Sequence, residues 1–285
     1  MKSIILFALL TCFSYQGYAA TSSQEVPYYG EAFYRELASG VTNDDLKDSL
    51  RKVLLSYHQK QNGQLDQIVK GCNGESCYGH VSLGYDRARI FMMGVYYLTK
   101  TNKGYAIYDV YCDTNKTTED FVHGNGPAPK NIPDGNILNT EHTWPQSRFS
   151  RRFDKNTQKS DMHHLYPTDS DMNSVRGNNP FGEVAKDSRT LECPASRTGR
   201  STSGNEEVFE PPRNHKGNVA RALFYFSVRY EMPLGKNQEI FLRKWHKEDP
   251  VNEEEIRRND FIQSVQGNRN PFIDHPELVD RIERF

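Results

Sequence analysis

Apolar side chains recur at two spacings along the chain, and the change of spacing separates helical from extended segments. Residues 43–58 place apolar positions three or four apart behind Asn43, which predicts an amphipathic helix capped by that asparagine. Residues 85–97 repeat the helical spacing with aromatic and methionine side chains. Aromatic and β-branched residues alternate with others over 105–112, which predicts a strand.

The middle of the chain predicts a strand, a loop, a second strand and a helix in succession. The first strand covers 137–142, and a polar, arginine-bearing excursion follows over 146–160. The second strand covers 162–166 and ends at Pro167. Residues 168–171 fit a capping box, which predicts the start of the helix.

The last third of the chain predicts helices. One apolar face at helical spacing consists of Val219, Leu223, Phe226 and Tyr230. A later helix covers 253–266, with Asn252 as its cap and Gly267 as its stop. Because the chain has no internal repeat, we predict one α+β domain over 20–285, with a helical C-terminal third.

The N-terminus has the order of features that is typical of a secretory signal peptide. Lys2 precedes an apolar run over 4–13, and small residues up to Ala19 offer a cleavage site. The run is too short to span a bilayer, and no later segment reaches that length. We therefore predict a signal peptide over 1–19 and a soluble mature protein that is secreted or periplasmic.

Four cysteines remain once the signal peptide is removed. They are Cys72, Cys77, Cys112 and Cys193. An even number in an oxidising compartment favours disulfide bonds, and proximity favours Cys72–Cys77 together with Cys112–Cys193. The alternative is a zinc site, because Cys72, Cys77 and His80 have ligand-like spacing.

The charge balance limits how the protein can use nucleic acid. The formal net charge is −1, whereas a protein that coats DNA is normally basic. This balance argues against tight, processive binding and leaves a local basic groove open.

Residue types that suit phosphodiester hydrolysis concentrate in the strand–loop–strand–helix segment. Such hydrolysis needs a base that activates water, a cation on the phosphate and positive charge for the developing anion. The segment offers Glu141, His142, Asn173 and Arg176. Carboxylate and amide oxygens favour a hard ion such as Mg²⁺, with Mn²⁺ or Ca²⁺ as alternatives, and two protein ligands suffice for it.

Glu141 and His142 are adjacent, which imposes a geometric condition. Neighbouring side chains of a regular strand face opposite ways. Both can reach one phosphate only if the strand ends or kinks there, which Pro145 just downstream favours.

Three motifs in this segment, at 141–147, 160–169 and 173–178, resemble the endonuclease I family of periplasmic and extracellular bacterial nucleases. The similarity continues through 209–221 and 249–276 in the same order. The resemblance implies a ββα-metal (His-Me finger) catalytic motif within the α+β fold. It also implies cleavage of DNA and RNA with little sequence preference, leaving 5′-phosphate ends.

For the site, the resemblance implies His142 as general base and Glu141 and Asn173 as metal ligands. The family also has an arginine that steadies the phosphate, for which we favour Arg176. The alternatives lie in the excursion and are Arg148, Arg151 and Arg152.

His163 and His164 occupy the second motif as supporting residues, and on a strand at most one of them faces the site. Periplasmic members usually have Asp-x-His-Asn-Leu here, whereas the His-His form of this chain is similar to the extracellular Gram-positive branch. Substrate preference therefore does not transfer from the periplasmic members.

Two other functions fit part of this pattern: a nucleic-acid-binding protein without catalysis, and a metal-dependent phosphoesterase that acts on small substrates. The complete set of Glu141, His142 and Asn173 argues against the first. A zinc phosphoesterase would need more His, Cys or carboxylate ligands together. We predict a monomeric endonuclease that contacts the phosphate backbone of DNA or RNA.

Overall fold

The computed structural model describes residues 25–285, so the predicted signal peptide over 1–19 lies outside the described residues. The helices are α1 (Gly30–Ala38), α2 (Asn43–Leu55), α3 (Tyr85–Phe91), α4 (Lys155–Ser160), α5 (Ser170–Arg176), α6 (Lys216–Tyr230), α7 (Lys236–Glu248), α8 (Glu253–Gln266) and α9 (Pro271–Asp274). The strands are β1 (Tyr57–Gln59), β2 (Gln67–Val69), β3 (Cys77–Tyr78), β4 (Leu98–Thr101), β5 (Gly104–Asp109), β6 (Thr114–Thr117), β7 (Leu138–His142), β8 (Leu165–Asp169), β9 (Val184–Asp187), β10 (Arg197–Ser201) and β11 (Glu207–Glu210).

The strands of residues 25–285 form small antiparallel sheets rather than one large sheet. Three of these sheets have three strands, in the orders β2-β1-β3, β4-β5-β6 and β11-β10-β9, and the fourth is the ribbon β7-β8. The α+β class predicted from the sequence is confirmed, including the helical C-terminal third. None of the helices in this range is both long and apolar enough to cross a membrane.

Helix α6 lies at the centre of the main hydrophobic core. The sequence predicts one apolar face for it, but nearly all of its residues are buried, because α2, α7 and α9 pack around it. A helix that is covered on every side is typical of a protein interior. The Phe226 ring of α6 stacks on Trp144, with ring centroids 5.5 Å apart, and so connects the core to the chain just after β7.

A fully buried ion pair joins α6 to α8. Arg221 donates from Nε and Nη2 to the two carboxylate oxygens of Glu255, at 2.7 and 2.6 Å. Its Nη1 donates to the main-chain oxygen of Asp249 at 2.9 Å. Gly217 allows this approach, because a Cβ there would lie 2.1 Å from the Asp249 oxygen and 2.3 Å from Arg221 Nη2.

Helix α8 begins and ends at the predicted residues. The Asn252 side chain accepts a hydrogen bond from Glu255 N at 3.1 Å, which satisfies one of the donors left free at a helix start. Gly267 ends the helix in the left-handed conformation, with φ of 82°. Both predictions are confirmed.

The other predicted elements are confirmed with shifted boundaries. Helix α2 has Thr42 rather than Asn43 at its N-cap and ends at Leu55, so Tyr57 belongs to β1 instead. The helix predicted over 85–97 is α3 followed by a π-helical turn, Met92–Tyr96. The strand predicted over 105–112 is β5.

The central segment forms an antiparallel ribbon followed by a helix, but its second strand is displaced from the predicted 162–166. Residues Met162–His164 form a 3₁₀ turn, and the strand is β8, which includes Pro167. Proline is tolerated because Pro167 pairs with Thr140 at a position where its main chain faces away from β7. Its oxygen accepts from Val110 N at 3.1 Å on the opposite edge.

Two disulfide bonds, Cys72–Cys77 and Cys112–Cys193, confirm the pairing that proximity favoured. The zinc alternative is wrong, because Cys72 and Cys77 are bonded to each other. The second bond closes a loop with a sequence separation of 81 residues. That loop contains β7, β8 and α5.

Candidate active site

A depression of about 350 Å³ opens where β7 ends. Its walls come from β7, the turn after it, α5 and the start of α3. Glu141, His142, Asn173 and Arg176 all line it. The strand ends at His142, which meets the condition that two adjacent side chains must share one site.

His142 is nine-tenths buried, and one of its ring nitrogens is fixed by the backbone. Nε2 lies 3.1 Å from the main-chain oxygen of Lys159. Because a carbonyl oxygen can only accept, Nε2 carries the proton and Nδ1 keeps a lone pair. Burial and the neighbouring His164 hold the pKa of His142 well below its usual range, so the ring is neutral near pH 7. A neutral ring with an unprotonated Nδ1 is the form that a general base requires.

The His142 ring is held between other side chains. The rings of Tyr85 and His164 lie 5.4 and 5.3 Å from it, measured between centroids. Lys159 Nζ lies 4.2 Å from the centre of the Tyr85 ring on which His142 also packs. Gln146 Nε2 is 3.4 Å from His142 Nδ1. The imidazole is therefore oriented before any ligand arrives.

Glu141 is almost completely buried beside Arg176. Its Oε1 lies 2.9 Å from Arg176 Nη1. Burial raises the pKa of Glu141, and the positive charge of Arg176 opposes that shift. A buried carboxylate is costly when it is charged, and a neighbouring cation lowers that cost. Arg176 is such a cation for Glu141.

Helix α5 brings Asn173 to the pocket. Asp169 caps the helix by accepting from the main-chain nitrogens of Asp171 and Met172, at 2.9 and 3.1 Å. Asn173 Nδ2 donates to the main-chain oxygen of Thr140 at 3.3 Å, so the amide group is oriented with Oδ1 unused by that bond.

Arg176 is buried, and its donors are directed at the backbone of the catalytic strand. Nη1 donates to the main-chain oxygen of His142 at 2.9 Å, and Nη2 donates to that of Thr143 at 2.6 Å. The guanidinium also lies over the Phe181 ring, 4.5 Å from its centre. Arg176 therefore fixes the end of β7 and Glu141 simultaneously.

The supporting residues lie at different depths. His163 and His164 are both buried on the 3₁₀ turn, where their Nε2 atoms lie 3.2 Å from the Asn268 oxygen and 2.8 Å from the Gln158 oxygen. Of the two, His164 is the one that contacts His142. Arg148 is exposed on the turn after β7, and its main-chain oxygen accepts from Trp144 Nε1 at 3.0 Å.

Sequence reasoning missed three contributors to the pocket: Tyr85, Gln146 and Lys159. Gln146 lies inside the motif at 141–147 and was therefore available as a candidate. Tyr85 is remote in sequence, and Lys159 acts through its main-chain oxygen, so no side-chain pattern marks either of them.

The oxygen donors fit a hard divalent cation. Glu141 supplies a carboxylate and Asn173 supplies an amide oxygen, which are ligand types that Mg²⁺ and Ca²⁺ accept. The only group of three possible His, Cys, Asp or Glu ligands within residues 25–285 is Cys112, Asp169 and Cys193, whose cysteines are disulfide-bonded. Among the described residues, the donors that line the pocket are therefore oxygen ligands that could hold a hard divalent cation, and no thiolate set for a structural zinc lies there.

Comparison with known proteins agrees with this geometry. A family model described as Endonuclease I matches residues 42–277. An extracellular ribonuclease of Bacillus subtilis (strain 168) is 31% identical over 90% of this chain and 80% of its own length. An extracellular ribonuclease of Bacillus amyloliquefaciens is 40% identical over 50% of this chain and 53% of its own length.

Relatives named for DNA also match. An extracellular deoxyribonuclease of Aeromonas hydrophila is 31% identical over 42% of this chain and 50% of its own length. The resemblance that the three motifs indicated is confirmed, because the family model covers most of the chain, including all of the pocket. The chain belongs to the endonuclease I family of nucleic-acid-hydrolysing enzymes.

Proposed function

We propose that this protein is an exported, divalent-metal-dependent endonuclease that cuts DNA and RNA without strong sequence preference and leaves 5′-phosphate ends. The observation that carries the proposal is the pairing of His142 with Lys159. The backbone oxygen occupies Nε2, so that Nδ1 is left as a base in the pocket that also contains Glu141 and Asn173.

The residues divide the chemistry between them. Glu141 and Asn173 would hold the ion, which when bound would neutralise phosphate charge and polarise the phosphodiester for attack. His142 Nδ1 accepts a proton from the attacking water, and the Lys159 oxygen stabilises the imidazolium that results. Tyr85 and Gln146 restrict the imidazole to the orientation that this transfer needs. The ribbon β7-β8, which carries Glu141 and His142, and the following helix α5, which carries Asn173, support the ββα-metal motif that the family resemblance implied.

We assign Arg176 a positioning role and not a direct contact with the phosphate. Its guanidinium is committed to two main-chain oxygens and to Glu141. Arg148 is exposed next to Ser147, which lines the pocket, and it forms no ion pair with any residue of 25–285. We therefore propose Arg148 as the cation that meets the substrate phosphate.

The relatives support the proposed substrates and location. Those from Bacillus are named extracellular ribonucleases, and those from Aeromonas hydrophila include extracellular and periplasmic deoxyribonucleases. Phosphate contacts give affinity without reading bases, which suits both polymers. We propose that residues 1–19 direct export and that 20–285 form the mature, monomeric enzyme.

A cleavage assay on supercoiled plasmid and on structured RNA tests this function. Mature protein should degrade both with Mg²⁺ present and neither with excess chelator. His142→Ala should fold normally and lose about 10²–10⁴-fold in rate, since that is the typical contribution of a general base. Near-normal cleavage by His142→Ala would remove the histidine from the mechanism, and products that ligate only after added phosphorylation would contradict the 5′-phosphate assignment.

A further inference from the structure

A second pocket, of about 500 Å³, lies on the other side of β8 from the catalytic strand. It is lined by four tyrosines: Tyr96, Tyr97, Tyr108 and Tyr166. Strand β7 pairs with one edge of β8, and Val110 N donates to Pro167 O on the other edge. Adjacent strands lie about 5 Å apart, so this tyrosine pocket begins roughly 10 Å from the catalytic strand. The two pockets have no lining residue in common: β7 contributes to the first, and Tyr166 of β8 contributes to the second.

The tyrosine pocket contains polar groups that lack partners among residues 25–285. Glu254 Oε1 is buried there and takes no hydrogen bond, and the carboxylate forms no ion pair in this range. His215 is 4% exposed, and its Nε2 is also without a partner. Asn218 is 7% exposed and its side chain makes no hydrogen bond within the same range. Buried polar atoms are almost always satisfied, so two unpartnered atoms on residues that line one pocket, Glu254 Oε1 and His215 Nε2, indicate a ligand.

The neighbouring residue shows that this carboxylate is unusual. Glu253 precedes Glu254 on α8, is highly exposed and lies 3.4 Å from Arg257. Glu254 instead turns toward the tyrosines, and its main-chain oxygen accepts from the Tyr96 hydroxyl at 3.0 Å. The chain therefore places a carboxylate without an ion pair among the tyrosines that line this pocket, while an ion pair forms one residue away.

The charges around the pocket select a neutral ligand. Arg258 is buried under it, with its guanidinium 4.3 Å from the centre of the Tyr166 ring, and it forms no ion pair with another residue in the described range. That charge disfavours a cationic ligand, and Glu254 disfavours an anionic one. Arg257 also lines the pocket, but Glu253 lies 3.4 Å from its guanidinium and offsets its charge. Burial lowers the pKa of His215 to about 3, so the histidine adds no charge near pH 7. A flat, neutral group with N–H donors satisfies these conditions.

We propose that the tyrosine pocket binds a guanine base, with the Glu254 carboxylate accepting from the ring N–H and the exocyclic amino group. These two donors are adjacent in guanine and match the two oxygens of a carboxylate. Adenine, cytosine and uracil each place an acceptor beside their donor, which would face one carboxylate oxygen. Asn218 and His215 supply groups for the remaining edge, and tyrosine rings offer stacking surfaces. This role rests on the proposed endonuclease function: a guanine away from the scissile bond would anchor the substrate, and the bases at the cut itself would remain unread.

Isothermal titration calorimetry tests this site by measuring the affinity of the full mature protein for free nucleosides in excess chelator. A nucleoside lacks the phosphate and the chelator removes metal ions, so the result does not depend on cleavage. Guanosine should bind at least about tenfold more tightly than adenosine, cytidine or uridine, which is the discrimination expected of one bidentate contact. Glu254→Gln should lose about that factor, because its amide presents a donor to a guanine donor. The matched control, Glu253→Gln, should bind guanosine as the wild type does.

Equal affinity for the four nucleosides, absence of guanosine binding, or unchanged binding by Glu254→Gln would overturn the proposal. A second variant, Tyr96→Leu, keeps it testable if Glu254→Gln folds poorly, and it should weaken all nucleosides alike. With Mg²⁺ restored, Glu254→Gln should raise KM for guanine-containing single-stranded RNA and leave kcat unchanged. The same KM for RNA with and without guanine would separate this site from the nuclease reaction and overturn its role as a substrate anchor.

Discussion

Residues 25–285 contain two fully buried arginine–glutamate pairs, and they are built differently. In the pair between α6 and α8, Arg221 donates to both carboxylate oxygens of Glu255. In the active site, Arg176 directs donors to the oxygens of His142 and Thr143, and a single contact of 2.9 Å reaches Glu141. Arg221 donates hydrogen bonds to both carboxylate oxygens of Glu255, whereas Arg176 contacts only one carboxylate oxygen of Glu141.

This difference separates a structural pair from a functional one. A buried carboxylate that is completely paired can offer little to a ligand, since its lone pairs are already used. Glu141 is neutralised enough to stay buried and still lines the open pocket. Arg176, which a sequence motif suggests as a phosphate ligand, instead holds the Glu141 carboxylate in place at the pocket, which is why we propose a positioning role for it.

Replacing each ion pair by apolar residues should produce the largest difference, and the difference should be in cleavage rate. Arg176→Met with Glu141→Leu should keep most of the stability, because apolar replacement of a buried ion pair is often neutral or stabilising. Its cleavage rate should fall by about 10³-fold or more, since loss of a catalytic ion removes several kcal/mol of transition-state stabilisation. Arg221→Met with Glu255→Leu should keep its cleavage rate within about threefold, well under 1.4 kcal/mol of barrier. Equal activity in the two double variants would contradict the distinction.

Removing the arginine of the pair between α6 and α8 while keeping its glutamate should have the next largest effect. The quantity affected is the free energy of unfolding. Arg221→Met leaves Glu255 buried without a cation, which typically costs about 3–5 kcal/mol. Urea unfolding followed by circular dichroism would measure that loss. Adding Glu255→Leu to this variant should restore most of it. A single variant as stable as the wild type would show that Arg221 makes no net contribution through Glu255.

Acid should weaken the core that surrounds the active site. Burial lowers the pKa of His164 to about 4 and the pKa of His163 and His215 to about 3. An unfolded histidine titrates near 6.5, so below that pH the unfolded chain binds more protons and stability falls. The three groups together should reduce the free energy of unfolding by roughly 3 kcal/mol between pH 7 and 5.5. Identical urea midpoints at the two pH values would refute this, and His215→Gln should remove roughly 1 kcal/mol of the change, the share of a single such group.

Removing the N-caps of α5 and α8 should have the smallest effects, and it compares the helix of the candidate site with a helix outside it. Asp169→Ala and Asn252→Ala each remove an N-cap, and each should cost about 1 kcal/mol of stability. Only the first helix carries Asn173 and Arg176, so only Asp169→Ala should raise the Mg²⁺ concentration needed for half-maximal cleavage. Asp169→Asn, which still caps, is the matched control. The same shift in the Asn252→Ala variant would mean that general loosening and not the position of α5 controls the site.

Local signals predicted those features that depend on few residues. The cap and stop of α8 depend on Asn252 and Gly267 alone, and both predictions are confirmed. The strand predicted over 162–166 lies instead at Leu165–Asp169 and includes Pro167. The proline fits there because its oxygen accepts from Val110 N on the edge away from β7, a contact that a local sequence pattern does not reveal.

The candidate site follows the same division. The motifs predicted that Glu141, His142 and Asn173 share one site, and the structure brings all three to one pocket. The commitment of Arg176 to main-chain oxygens depends on how the strand ends, and the support of His142 by Tyr85 joins distant segments. Neither can be inferred from side-chain types at fixed spacing.

The Cys112–Cys193 bond has a consequence for how the chain would respond to a cut in its backbone. The ribbon, the polar excursion and α5 all lie inside the loop that it closes. A single peptide-bond cut in the exposed excursion would leave two fragments, each still covalently attached to the other through this bridge. The severed ends would remain neighbours in the folded molecule, so a nick that would dismantle an unbridged enzyme would here leave the catalytic parts together.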